Sequence, residues 1–397
     1  MTNRAIFADY RFLERMGSTL ADKKIFPLNS PRFLAALFVL FHHAGAVFFP
    51  YLESASFPSE HRICFILFSS LGTSVSFFFL LSGYSLSMAY LRKGHLADSK
   101  LFLVTRFARV CPLYLLVLLL NTPHQMQFQI QSLGMISGLV RTGEIFGANV
   151  LMIQAWNPHS LLLINLPSWS LCAEALFYLC FPILGPLLWK LRGAHVWITA
   201  ISLYAGGQAV VWLLRPHLTL ALVSWFPLLH LSTFALGIVL ARWHSLEKVR
   251  MGPAGVKAWQ ANAVLGVSLA VLVVAVLLGP HIHVRRPYYN GLMAPVFAAI
   301  IWSLSATPTW ISRFLCRKWL AALGNSSFAL YMIHYPILQL FERYNWVAIR
   351  FFPLYVGLCI ALSILSFHFF ESPVRIWLTE RFESRRLAKL NLVHSNV

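Results

Sequence analysis

An all-α integral membrane protein, with about ten transmembrane helices and both termini in the cytoplasm, is the fold this sequence predicts. Three observations carry it. Hydrophobic residues make up 58% of the 397 and charged ones only 11%, against about 25% charged in a soluble domain, and mean hydropathy is +0.67. So few charges cannot coat the surface of two or three soluble domains, and so apolar a chain is not a disordered one. Ten runs supply the roughly 20 apolar residues that a bilayer crossing needs. The third observation is where the cations lie: with the N-terminus inside, 24 of the 32 Lys and Arg fall on the cytoplasmic side and 7 on the other, as cytoplasmic loops collect positive charge. That asymmetry also accounts for the net charge of +19 through loops and anionic headgroups, with no nucleic-acid partner.

The runs lie near 31–50, 64–90, 102–120, 171–189, 196–214, 221–241, 261–280, 290–306, 326–341 and 350–370. Residues 1–27 mix basic and acidic side chains without an apolar h-region, so they read as a cytoplasmic tail and not as a signal peptide. Residues 28–375 form the membrane domain, and 376–397 a basic cytoplasmic tail. The six cysteines (Cys64, Cys111, Cys172, Cys180, Cys316, Cys359) form no CxxC pair and read as small buried hydrophobes, with no metal site.

Ionisable groups inside spans are costly, so each marks a candidate site unless it snorkels to the interface. The first span opens Ser30-Pro-Arg-Phe and reaches His42 and His43. Arg32 and His43 are eleven residues apart, about 20° past three full turns, so they share a helix face with a rise of roughly 16 Å. A lone intramembrane histidine is often a packed, hydrogen-bonded residue; the phased arginine strengthens a chemical role. The second span contains Ser82-Gly83, a small step where a backbone or a ligand can approach closely. Where the third leaves the cytoplasm, Arg106 and Arg109 are helical neighbours and form a two-guanidinium fork suited to phosphate, or to a lipid headgroup.

Segment 121–168 is almost uncharged and external, with apolar stretches at Gly134–Val140 and Ala148–Gln154. It lies along the interface or re-enters the membrane, where irregular backbone is tolerated if buried in protein. The fourth span carries Glu174, the one carboxylate set well inside a run, about a turn from its outer end. The ninth, short and polar, places Ser327, Tyr331 and His334 on successive turns, a stripe that faces other helices.

Together these residues resemble the membrane-bound acyltransferase family 3, whose members transfer acyl groups, usually acetyl, onto sugars of cell-surface or exported molecules. Arg32 and His43 match its arginine–ten residues–histidine motif, Phe78-Phe-Leu-Leu-Ser-Gly-Tyr84 its FFxLSG segment, and Arg106 with Arg109 its RxxR. Trp169-Ser-Leu-Cys-Ala-Glu174 with Phe177-Tyr178 matches its WSLxxE…FY block. Phe234-Ala-Leu-Gly237, the Gly324–Pro336 run and Glu371-Ser-Pro373 also fit. The likeness covers about 28–375. Cys172-Ala-Glu-Ala175 keeps one carboxylate where many relatives show two acidic or amide positions.

The resemblance implies O-acetylation in the plasma (inner) membrane. The donor would be acetyl-CoA, used as a substrate with no permanently bound cofactor. The acceptor would be a polysaccharide such as an exopolysaccharide, or a lipid-linked saccharide, with glycan-assembly machinery as a further partner. On this reading His43 is the base that takes the acceptor hydroxyl's proton. Glu174 orients it or binds the acceptor hydroxyl, and Arg32, Arg106 and Arg109 grip coenzyme A phosphates. Ser82, Trp169, Tyr331 and His334 are secondary substrate contacts. Ten spans would also suit a secondary transporter, but such carriers place carboxylates at mid-depth and show inverted repeats; here one carboxylate and no repeat are legible.

Overall fold

The computed structural model describes residues 28–49, 70–91, 94–156, 164–251, 255–278 and 290–395, the side chains at 220, 221, 278 and 387–395 excepted. The N-terminal tail, Cys64, Arg62, Arg285 and Arg286 lie outside the described residues. Among those described, regular structure is helical throughout, with no strand.

In order, the helices are α1 (Asn29–Phe48), α2 (Ser74–Tyr90), α3 (Ser99–Leu133), α4 (Met135–Val150), α5 (Trp169–Trp189), α6 (Ala194–Leu214), α7 (Leu220–Trp225) and α8 (Leu231–Met251). They continue as α9 (Ala258–Leu278), α10 (Ala294–Ala306), α11 (Trp310–Leu315), α12 (Lys318–Asn325), α13 (Ser327–Arg343), α14 (Phe352–Ser366) and α15 (Ser372–Ser395). Among the described residues, seven stretches are long and apolar enough to cross a bilayer: Asn29–Phe48, Leu71–Tyr90, Ser99–Leu133, Leu166–Trp189, Ala194–Leu214, Ala258–Leu277 and Ile349–Arg386.

Helices stand at the other three expected places, but shorter or shifted. The run at 221–241 is interrupted: Phe226 is extended before Pro227, as the residue preceding proline is biased to be. α8 therefore starts at Leu231 and carries Arg242, Glu247, Lys248 and Arg250 at its far end. α10 is a shorter apolar helix, and α13 has 17 residues.

α6 and α9 show their apolar side chains outward, with 11% and 17% of their windows buried, the face a lipid-embedded helix presents. Among the described residues the most extensive helix–helix contact is that of α2 with α8, and two glycines bring the pair close. A methyl group at Gly83 would meet the Phe234 carbonyl and lie 3.1 Å from the Ile238 nitrogen. One at Gly237 would meet the Leu80 carbonyl and lie 2.8 Å from the Tyr84 nitrogen. Each helix thus packs backbone against backbone, as small residues allow in lipid.

Segment 121–168 is largely helical. α3 continues unbroken to Leu133, turns at Gly134 (φ 82°) and returns as α4. Gly138 lies against Ile130, with no room for a side chain. After α4 the chain runs back into the protein. Asn149, Gln154, Asn165 and Ser168 are all buried, and side-chain amides tie the segment to itself, to α3 and to α13. Gln154 donates to the Ser168 carbonyl (3.1 Å), Asn165 to the Met332 carbonyl (2.9 Å), and Asn121 to the Ile164 carbonyl (2.9 Å). Buried inside protein, irregular backbone is tolerated. α5 consequently begins level with Tyr331 and Met332, a turn into α13.

Candidate active site

Five helices converge on one open-mouthed cavity with about 810 Å³ of empty space, within the range of ligand sites. α1 contributes Arg32, α2 Ser82 and Ser85, α3 Arg106 and Arg109, α5 Glu174 and Tyr178, and α13 Ser327, Phe328 and Tyr331. Arg32 sits in the first turn of α1, where it donates to the Asn29 amide oxygen and to the Ser85 hydroxyl, both at 2.7 Å. These bonds hold its guanidinium toward α2. Arg106 donates to the Tyr90 hydroxyl at 3.0 Å and lies 5.4 Å from that ring's centre, while its buried Nε has no partner. Glu174 accepts from Tyr178 at 3.0 Å, one turn along α5.

The walls therefore present three guanidiniums against one carboxylate. A low-dielectric pocket with that excess is suited to a polyanion, since charge-assisted bonds from arginine to phosphate are short, strong and often bidentate. Arg106 and Arg109 both line this cavity, and Arg32 joins them from another helix.

Glu174 is not near the outer rim. Because the re-entrant segment starts α5 deep in the protein, Glu174 shares a cavity with Arg32, which had been expected at the opposite face. Tyr331 and Ser82 are also cavity residues. The Tyr331 hydroxyl donates to the Pro167 carbonyl (3.0 Å) and meets the Ser170 hydroxyl at 2.8 Å. Gly83, beside Ser82, serves the packing of α2 on α8.

His43, His334 and Trp169 are not among the walls. His43 stands farther along α1, partly buried, its ring centre 5.5 Å from His334 and 5.4 Å from Tyr335. His334 is fully buried. Its Nδ1 lies 3.1 Å from the Leu330 carbonyl; a carbonyl only accepts, so Nδ1 carries the proton and Nε2 is left a bare acceptor. That Nε2 has no partner. Trp169 is packed in an aromatic group with Phe79, Trp225 and His230.

Ser85 and Tyr90 were not singled out from sequence. Ser85 is three residues from Ser82 and shares its face, a readable signal; nothing in sequence pairs Tyr90 with Arg106. Glu371 is buried on a π-helical turn, Phe367–Glu371, between α14 and α15, with Oε2 unpartnered.

Comparison with known proteins identifies the family. Residues 28–368 match the model of an acyltransferase domain. Acyltransferase MdmB of Streptomyces mycarofaciens is 26% identical over 76% of this chain and 77% of its own length. A protein of Staphylococcus aureus strain COL named as an O-acetyltransferase is 26% identical over 52% of this chain, and the match spans only 35% of that relative. A protein of the same name in strain MSSA476 matches equally. No solved structure matches the chain. With the motifs gathered by the fold and the family match running over nearly the whole length, the chain belongs to the membrane-bound acyltransferase family 3 and is an acyltransferase of that family.

Proposed function

We propose that the protein is an O-acyltransferase of the plasma (inner) membrane, with ten crossings and cytoplasmic termini. It moves an acyl group, acetyl in the simplest case, from acyl-CoA to a hydroxyl of a glycan or glycoconjugate. The observation that carries this reading is the convergence of Arg32, Arg106 and Arg109 on one cavity, with a histidine farther along the helix that bears Arg32. The phosphates of coenzyme A are the polyanion the guanidiniums take. The arm between those phosphates and the thioester is long, so the two ends of the donor occupy separate stations. Glu174, held by Tyr178, offsets part of the positive charge and steers the donor.

His43 is the base. It removes the acceptor hydroxyl's proton as the oxygen attacks the thioester carbonyl. The carbon–sulfur bond then breaks, and the departing thiolate takes that proton back from the imidazolium. His334 is the group best placed to orient His43, because its bare Nε2 needs a donor and the His43 ring is its neighbour. Glu174, in the other chamber, is less suited to that part.

Membranes from cells expressing the wild type or His43→Ala, incubated with acetyl-labelled coenzyme A, test the reading. Label should enter a glycan-containing fraction with the wild type and be lost in the variant, which still inserts and accumulates. Full activity in His43→Ala would overturn the assignment of the base; no label with wild type in the presence of native acceptors would overturn the donor.

A further inference from the structure

A second cleft, unrelated to any of the family motifs, lies at the other end of α13. It holds about 810 Å³ of empty space, and six of its seven lining residues are polar. One wall is a stripe of α3: His124, Gln127, Phe128 and Gln131, spaced to share a helix face. The other wall is the end of α13, with Gln339, Glu342 and Arg343. Asn121 ties the two walls together by donating to the Gln339 amide oxygen at 2.9 Å. That bond fixes the flip of Gln339 and leaves its N–H groups as donors.

Three features give this cleft a place in the reaction. First, α13 rises about 24 Å from Ser327 to Arg343, close to the thickness of a bilayer's hydrocarbon core, so the arginine cavity and the cleft open on opposite faces. Tyr344 and Trp346, which follow α13 directly, are 61% and 46% exposed, as aromatic residues at a membrane–water boundary are. Second, Phe328, Tyr331, Tyr335, Gln339 and Glu342 follow one another at helical spacing along one face of α13. That stripe begins in the arginine cavity, passes the ring of His43 at Tyr335, and ends in the cleft. Third, the chemistry of the walls suits a polyhydroxylated ligand. Amide side chains offer a donor and an acceptor each, a carboxylate and a guanidinium add stronger partners, and Phe128, 57% exposed, offers a flat apolar face.

We infer that this cleft binds the saccharide acceptor, on the side of the bilayer away from the donor. Its hydroxyl reaches down to His43 along Tyr335, about 6 Å below Gln339 by helix rise. The inference rests on the acyl-transfer reading and adds the acceptor's site to it. It also explains the length of α3, whose 35 residues span roughly 52 Å and supply a wall well beyond the membrane.

A panel of p-nitrophenyl glycosides of the common hexoses serves as soluble acceptor. With a glycoside the wild type acetylates, Gln127→Ala/Gln131→Ala should raise the apparent KM for the glycoside about tenfold, as the loss of two hydrogen bonds implies. The apparent KM for acetyl-CoA should not change. Acceptor constants within twofold of wild type in that variant and in Phe128→Ala would overturn the cleft and leave the acyl-transfer reading intact. Independently of turnover, Gln131→Cys should be labelled by a membrane-impermeant maleimide in intact cells, over the wild-type background, and be protected by the same glycoside. Labelling only in opened membranes, or no protection by any glycoside, would overturn it. Protection without transfer by the wild type would keep the site and overturn the reaction instead.

Discussion

Replacing Gly237 by alanine adds one methyl group where two helix backbones touch, and its cost follows from the geometry. The added carbon would lie 2.8 Å from the Tyr84 nitrogen and closer still to the Leu80 carbonyl. Both are main-chain atoms of α2, so no side chain can swing aside. Relief requires α2 and α8 to move apart by roughly 1 Å, and overpacking of this kind costs about 1–3 kcal/mol. Gly83→Ala meets α8 in the same way and should cost as much. Gly266 and Gly206 lie on helices with no other atom within 4 Å of an added Cβ. There alanine should be neutral or stabilising by up to about 1 kcal/mol, through helix propensity alone. The assay is thermal unfolding of the four purified variants in one detergent. Gly237→Ala and Gly83→Ala should melt about 2–6 °C below wild type, and the other two at or above it. Since α2 carries Ser82 and Ser85 to the arginine cavity, the first two should also lose transferase activity in membranes at a temperature where they remain folded. If Gly237→Ala melts with Gly266→Ala, the α2–α8 contact is not the tight backbone packing described.

Two further outcomes test the ends of the donor site and of α3. Arg106→Ala should raise the apparent KM for acetyl-CoA by about tenfold or more, the scale of one charge-assisted bond, with Arg106→Lys between it and wild type because an ammonium lacks the fork; an unchanged constant would leave the fork a lipid anchor. Asp98 caps α3, accepting from the Lys100 and Leu101 amides at 2.8 and 3.0 Å. The Leu101 bond is the main cause holding its carboxyl below the ordinary 3.8; slight burial opposes it, and Arg386 adds to it. A lowered folded-state value means that the stabilisation is present above the unfolded value and is lost as pH falls through the folded one. The melting difference between wild type and Asp98→Ala should therefore be full at pH 6 and shrink as pH falls below about 4, and a difference that does not shrink there would refute this.

Much of the site was legible because its signals are local. Arg32 and His43 share a face by arithmetic on one helix, and Arg106 with Arg109 are neighbours on another. The hydropathy of the spans needs only a window. What composition could not show was depth. Glu174 falls near the outer end of its apolar run, and only the return of the chain after α4 lowers it to the arginines. The signals for that return are Asn121, Gln154 and Asn165. Each is a polar residue in or beside an apolar stretch whose meaning depends on a carbonyl far away in sequence. The break at Pro227 was readable, since proline disfavours a helical residue before it, but the apolar run on both sides hid it.

The same residues separate structural from chemical polarity in this membrane domain. Gln154 and Asn165 are almost wholly buried, and each donates to a main-chain carbonyl, of Ser168 and of Met332 on α13. Their amide nitrogens serve the fold, while Gln154 Oε1 and Asn165 Oδ1 have no partner among the described residues. Arg106 Nε and His334 Nε2 are equally buried and have no partner, although a buried polar atom left unpaired costs about 1–3 kcal/mol. Lack of a partner does not by itself mark a site, since the Gln154 and Asn165 amide oxygens share it; position does. Of the buried atoms without a partner among the described residues, Arg106 Nε and His334 Nε2 fall at the two stations that α1 connects, one beside Arg32 and one beside His43. In the reaction proposed here those are the places where the donor's phosphates and the transferred proton must be received.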